Sequence, residues 1–376
     1  MRLKGTRQKG KGRRNSFPFA FCFFALCLLP SAFLSAQNSA ADLLIKAKAD
    51  WFAMRTKSAE QKLLAATKNA ATAAEAHFWL SRIYDFKGNK AEGAFPGFHE
   101  EVNYRPRAEI ELKQAGTPKP EWLAEEEAHD NAVKAADASI AKLQAANVPA
   151  ADLRAAIEKR VALRPDPMSY VAGANALLAR HAELPFVLKL AADGRVAGDR
   201  FIWENESSYK LDGKVRGSLD RNAAVFADIA GWAMFLQGDM RGAEKRLAEA
   251  ARLYRNVDAT NQLHLAELSR KQGDLENARE HYVNALGLAG ISPAQRDQAK
   301  ASLADVQAKN GEDPADFEKW LAATLDRKRE ERRKALVSNM AGRRAPALVL
   351  KDLQGNDVDL RAERGNVILL NFFSAW

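Results

Sequence analysis

The sequence predicts a mainly α protein, a run of helical hairpins followed by the first strands of a small α/β unit. Three observations carry that expectation. Residues 40–336 are rich in Ala, Leu, Glu, Lys and Arg, with apolar positions recurring three and four apart and few alternating runs. Two segments inside this region align at a 35-residue offset. After residue 342 the pattern changes to short apolar runs separated by turn residues, as strands require.

Residues 1–36 read as a signal peptide. Arg2, Lys4, Arg7, Lys9, Lys11, Arg13 and Arg14 form a basic block with no acid, an apolar run follows from Phe17 to Leu34, and Ser35 and Ala36 precede polar Gln37. Cleavage is expected near Ala36, with a retained N-terminal membrane anchor as the alternative, and no span is expected after cleavage. Arg13 and Arg14 suggest a twin-arginine signal, but Ser16 stands where that motif has Phe. The formal charge is +9, and removing those seven basic residues leaves +2. Nothing then draws the body to phosphate backbones, so nucleic acid is not an expected partner. Cys22 and Cys27, the only cysteines, lie within the apolar run, so a chain cut after Ala36 contains none. The six histidines, His77, His99, His129, His181, His264 and His281, show no paired ligand spacing, and no metal or cofactor is expected.

Residues 37–324 are expected to form a helical repeat domain. Gly231, Met234, Gly238, Asp239, Ala243, Leu247 and Ala250 align with Ala266, Ser269, Gly273, Asp274, Ala278, Tyr282 and Ala285. These residues resemble the tetratricopeptide repeat, a pair of helices with small residues at their contact. In that reading Gly231 faces Ala243, Ala266 faces Ala278, Gly238 and Gly273 make the turns, and Leu247 and Tyr282 fill the space alongside. Leu80, Ser81, Tyr84, Gly88 and Asn89 give the first half of a third unit, with Gly93 and Pro96 departing from the second half. Leu303, Ala304 and Gly311 give a fainter fourth. Such hairpins stack into solenoids whose concave face commonly binds protein segments. Ser292, Pro293 and Gln295 spell a capping box, and Asp313 with Pro314 repeats the start signal. Trp203, Glu204, Glu206, Tyr209 and Lys210 form a polar and aromatic cluster in a non-periodic stretch, read as a loop packing its own aromatics. Residues 325–341 open on LDRKREERRKAL, a charged run that reads as a solvated connector helix.

Residues 342–376 carry a second resemblance. Leu348, Val349 and Leu350, a turn at Gly355 and Asn356, then Val358 and Leu360, read as a hairpin. Val367 to Phe373 is apolar enough for a strand covered on both faces. Gly342, Ala345 and Pro346, then Asp352, Leu353, Gly355, Val358 and Leu360, then RGNVILLNFFSAW ending at Trp376, together resemble the N-terminal part of a redoxin or TlpA-like domain of the thioredoxin superfamily. That resemblance implies an exported thiol-disulfide oxidoreductase acting on client proteins, recycled by a membrane redox partner. In the family the residue after this Trp opens a CxxC pair whose first thiolate attacks. The sequence stops at Trp376, so no catalytic residue is assigned and the chain as given is expected to be redox-inactive. The alternative is a non-catalytic helical scaffold for protein binding with a degenerate redoxin tail.

Overall fold

The computed structural model describes residues 39–94, 101–146, 148–205, 212–311, 316–338, 348–351 and 354–363. The signal-like segment, Gly342, Ala345, Pro346, Asp352, Leu353 and the run from Arg364 to Trp376 lie outside those residues. So do Asp313 and Pro314.

The described residues are mainly helical. They form α1 (Ala40–Phe52), α2 (Thr56–Ala66), α3 (Ala73–Ala94), α4 (Glu101–Ala115), α5 (Pro120–Ala145), α6 (Ala150–Leu163), α7 (Pro167–Leu178) and α8 (Leu184–Asn205). There follow α9 (Asp212–Gln237), α10 (Met240–Leu253), α11 (Ala259–Gln272), α12 (Leu275–Leu286), α13 (Pro293–Lys309) and α14 (Phe317–Ser338). Neighbours in the chain pack on each other, α7 on α8, α9 on α10 and α11 on α12, and each pair leans on the next. Helices two apart also touch, α7 with α9 and α9 with α11.

The two aligned segments fold alike. At the end of α9 the Gly238 N–H donates to Phe235 O and the Asp239 N–H to Met234 O. At the end of α11 Gly273 donates to Arg270 O and Asp274 to Ser269 O. Both glycines are left-handed, at φ 87° and 81°, so each helix closes in a Schellman turn that only glycine enters without strain. The aspartate that follows caps the next helix, Asp239 accepting from Gly242 N and Asp274 from Asn277 N. One small-residue contact is closely filled. A Cβ on Gly231 would stand 2.8 Å from Leu247 Cγ and 3.0 Å from Leu247 N, so Gly231 receives Leu247. Two axes this close leave room for one large side chain, and Leu247, fully buried, takes it.

The third candidate unit folds otherwise. Gly88 makes no turn, because α3 continues through it to Ala94. An added Cβ there would lie 3.2 Å from Arg105 Cγ, so this glycine lets α4 approach closely, and that contact outweighs its poor helix propensity. Pro96 lies outside the described residues. Leu303 and Ala304 of the fainter fourth candidate lie on α13, opened by the expected Ser292 and Gln295 capping box, with Leu303 fully buried in a cluster that also takes in Phe317, Trp320 and Leu321 of α14.

The charged run belongs to α14, which passes without a break through residues 324 and 325 where composition suggested a boundary. It is only partly solvated. Arg329 pairs with Asp326 and Arg333 with Glu330 one turn away, while Arg332 Nη2 donates to Gly287 O at 3.0 Å. Leu325 packs against the apolar cluster of α11 to α14.

Strand is confined to the tail among the described residues. β1 (Val349–Lys351) pairs antiparallel with β2 (Asp357–Asp359), Leu350 opposite Val358. Gly355, at φ 86°, lies in the connection, and a 3-10 turn follows at Leu360–Glu363. The expected hairpin is therefore present.

A groove lined at a 35-residue period

Four helices, α7, α9, α11 and α13, contribute one face each to a groove of about 940 Å³, with Tyr282 of α12 at its floor. Its lining repeats in the sequence. Val225, Thr260 and Gln295 form one tier, Asp228, Leu263 and Gln298 a second, and Ile229, His264 and Ala299 a third, each stepping by 35 residues. α9, α11 and α13 thus present the same turn to the groove, while Val171, Asn175 and Leu178 of α7 join it outside that period. Unequal side chains at equal positions make its chemistry.

The centre is polar beneath an aromatic wall. Asp228 is buried, and its Oδ1 accepts from Asn261 Nδ2 at 2.8 Å while its Oδ2 lies 3.0 Å from His264 Nδ1. An ionised carboxylate only accepts, so His264 carries its proton on Nδ1 and turns Nε2 away from this bond as an acceptor when the ring is neutral. Trp232 is sandwiched between rings, 4.3 Å from His264 at 10° and 4.7 Å from Phe235 at 14°. Stacking and the Asp228 bond together fix the imidazole.

Asp258 caps α11 by accepting from the Asn261 N–H at 2.8 Å. The Tyr254 hydroxyl beside it is held well above its usual pKa by burial and then by the Asp258 and Asp228 charges. Tyr282 donates to Glu267 Oε1 at 2.6 Å and is raised in the same way, by burial first and then by Glu267. Burial lowers the pKa of His281, whose Nδ1 lies 2.9 Å from Gln262 Oε1. The tyrosines are therefore neutral donors at physiological pH.

Asp228 and His264 have the first two members of a nucleophilic triad. Among the described residues no hydroxyl or thiol is hydrogen-bonded to His264 Nε2. No group of three or more His, Cys, Asp or Glu side chains suited to a metal occurs among the described residues. No described helix is long and apolar enough to cross a membrane.

The cluster singled out around residue 203 is helical in its described part. Trp203 and Glu204 lie on α8, while Glu206, Tyr209 and Lys210 lie outside the described residues. Glu204 has a structural task, its Oε2 accepting from the Lys57 and Ser58 N–H groups at 2.8 and 3.2 Å and its carbonyl from Thr56 Oγ1. It caps α2 from across the fold, which α2 needs because Arg55 at its N-cap makes no side-chain bond. Asp228, Trp232 and Asn261 were missed by sequence reasoning, and His264 was read only as one scattered histidine. The 35-residue offset was the signal that could have found them, since positions one repeat apart share the inner face. No known family model matches the chain, and no curated protein matches it.

Proposed function

We propose that the helical region is a tetratricopeptide-like solenoid that holds extended protein segments in its groove, serving an exported TlpA-like thiol-disulfide oxidoreductase. The period-35 lining carries this reading, because a groove built from one face of successive hairpins is what repeat scaffolds offer to a client. The order of basic, apolar and small residues before Gln37 supports export. The hairpin at 349–359 and RGNVILLNFFSAW support a thioredoxin-like module beginning at about residue 342. In the full oxidoreductase a client disulfide held by the scaffold would be attacked by the first thiolate of a CxxC pair after Trp376, and the second cysteine would resolve the mixed disulfide.

A scaffold acting without redox chemistry is the second reading, favoured by the absence of cysteine from residues 37–376. One experiment separates the two. The gene is read past the codon for Trp376 and its whole product is assayed for insulin reduction with a dithiol donor. A frame encoding Cys, two residues and Cys, with turnover lost on replacing the first cysteine by Ser, supports the oxidoreductase. A product without the pair and without turnover leaves the scaffold alone.

A further inference from the structure

The groove has a sign as well as a shape. Among its lining residues are three carboxylates, Asp228, Asp258 and Glu267, and no Lys or Arg. The body beyond the basic N-terminal block carries +2, so an interior face with only acids runs against the average. Cations answer it from outside the lining. Arg270 pairs with Glu267 at 2.7 Å from outside the lining, its side chain 39% exposed, and the charge of Arg221 reaches Tyr254. Among the described residues Asp228 is bonded by the neutral amide of Asn261 and by His264, and the Asp258 carboxylate by a backbone N–H. Both tyrosines are held neutral by this field, burial acting first. Asp228 and the Phe235, Trp232 and His264 ring stack lie on the same two inner helix faces.

We propose that the groove takes an extended polypeptide segment carrying an arginine side chain, with lysine a weaker substitute. This deepens the binding reading above and rests on it. A guanidinium is planar and weakly hydrated, so it lies against aromatic rings while its N–H fork meets carboxylates, which an ammonium does less well. The length of the groove fits a chain and exceeds a small cation. Four helix axes at about 8–10 Å spacing span about 25–30 Å, the reach of about eight extended residues at ~3.3 Å each. Gln295, Gln298 and Asn175 place carboxamides along that path, each able to donate to and accept from a peptide backbone.

The test uses the full chain and four labelled nine-residue peptides that differ only at a central Arg, Lys, citrulline or Glu, followed by fluorescence anisotropy. The Arg peptide should bind at least about tenfold tighter than the Glu peptide, with citrulline between them. Asp228→Asn should erase that preference. Thr260→Arg, which places a cation in the groove without touching the Asp228 network, should weaken the Arg peptide and spare the Glu peptide, with helical melting as the folding control. Equal affinity for all four peptides would overturn the charge selection and leave a peptide groove standing. No binding of any peptide would overturn the groove reading itself. Spermidine binding as tightly as the Arg peptide would overturn the polypeptide assignment, and an Arg preference unchanged by Thr260→Arg would place the site elsewhere.

Discussion

Ala278 is fully buried where α12 meets its neighbours, whereas the Glu276 side chain two residues earlier is 79% exposed. Ala278→Leu should therefore overpack the contact and cost about 1–3 kcal/mol, while Glu276→Leu should stay within about 0.5 kcal/mol. Thermal melting of the two variants checks this, and equal midpoints would contradict the packing. Asp50 makes a prediction in pH. Burial alone would raise its carboxyl, but hydrogen bonds from Lys62 and Ser58 and the charge of Arg55 outweigh burial and hold it below the ordinary value. A depressed carboxylate stabilises the fold above its unfolded pKa of about 4 and loses that contribution as pH falls through the folded value. Asp50→Asn should lower stability at neutral pH and flatten the acid limb of the denaturation curve. Parallel acid limbs for both proteins would show that Asp50 is not responsible.

Among the elements, α2 depends on a cap from a helix nearly 150 residues away. Glu204→Ala should cost about 1 kcal/mol, the usual worth of an N-cap, and should raise hydrogen exchange at the Lys57 and Ser58 amides while leaving the groove amides protected. Uniform exchange across the chain would deny the local role. The turn glycines behave differently. Gly273→Ala forces a Cβ into a left-handed position and should cost about 1–2 kcal/mol, although nothing lies within 4 Å of the added atom. The effect is purely conformational, so melting should fall for Gly273→Ala and rise for Gly217→Ala, which lies within α9, meets no neighbour and has no left-handed φ, a gain of up to about 1 kcal/mol.

At the scale of the whole molecule the apolar core is divided along the chain. One cluster lies in α1 to α5, a second centres on α6 to α9, a third joins α10 to α11, and a fourth joins α11 to α14. Each touches mainly its neighbours in sequence, so stability is spread as local interfaces. Denaturation should be less cooperative than the length suggests, with protection highest in the middle hairpins, as native-state hydrogen exchange would reveal. The hairpin adds little to this. Val349, Leu350 and Val358 are 48%, 40% and 41% exposed, and ending the chain after Ser338 should leave helical melting unchanged and raise the monomer fraction on size exclusion. A lower melting point would mean that the tail braces the helices.

The sequence by itself determined the helical class, the two central hairpins with their glycine turns, the Ser292 capping box and the hairpin around Gly355. These are local matters, decided by backbone freedom and by capping within four residues of each other. It left open what Gly88 and Gly231 make room for, and it misread the Trp203 and Glu204 pair as loop. Each depends on what a distant helix brings, Arg105 against Gly88, Leu247 into Gly231, and the start of α2 onto Glu204. Only the tertiary structure decided the groove. Val225, Thr260 and Gln295 are unremarkable in sequence, and they become one wall because packing repeats every 35 residues and turns the same face inward. The acidic, aromatic character of that wall follows from which unequal residues occupy equal positions, and no local rule of the chain contains it.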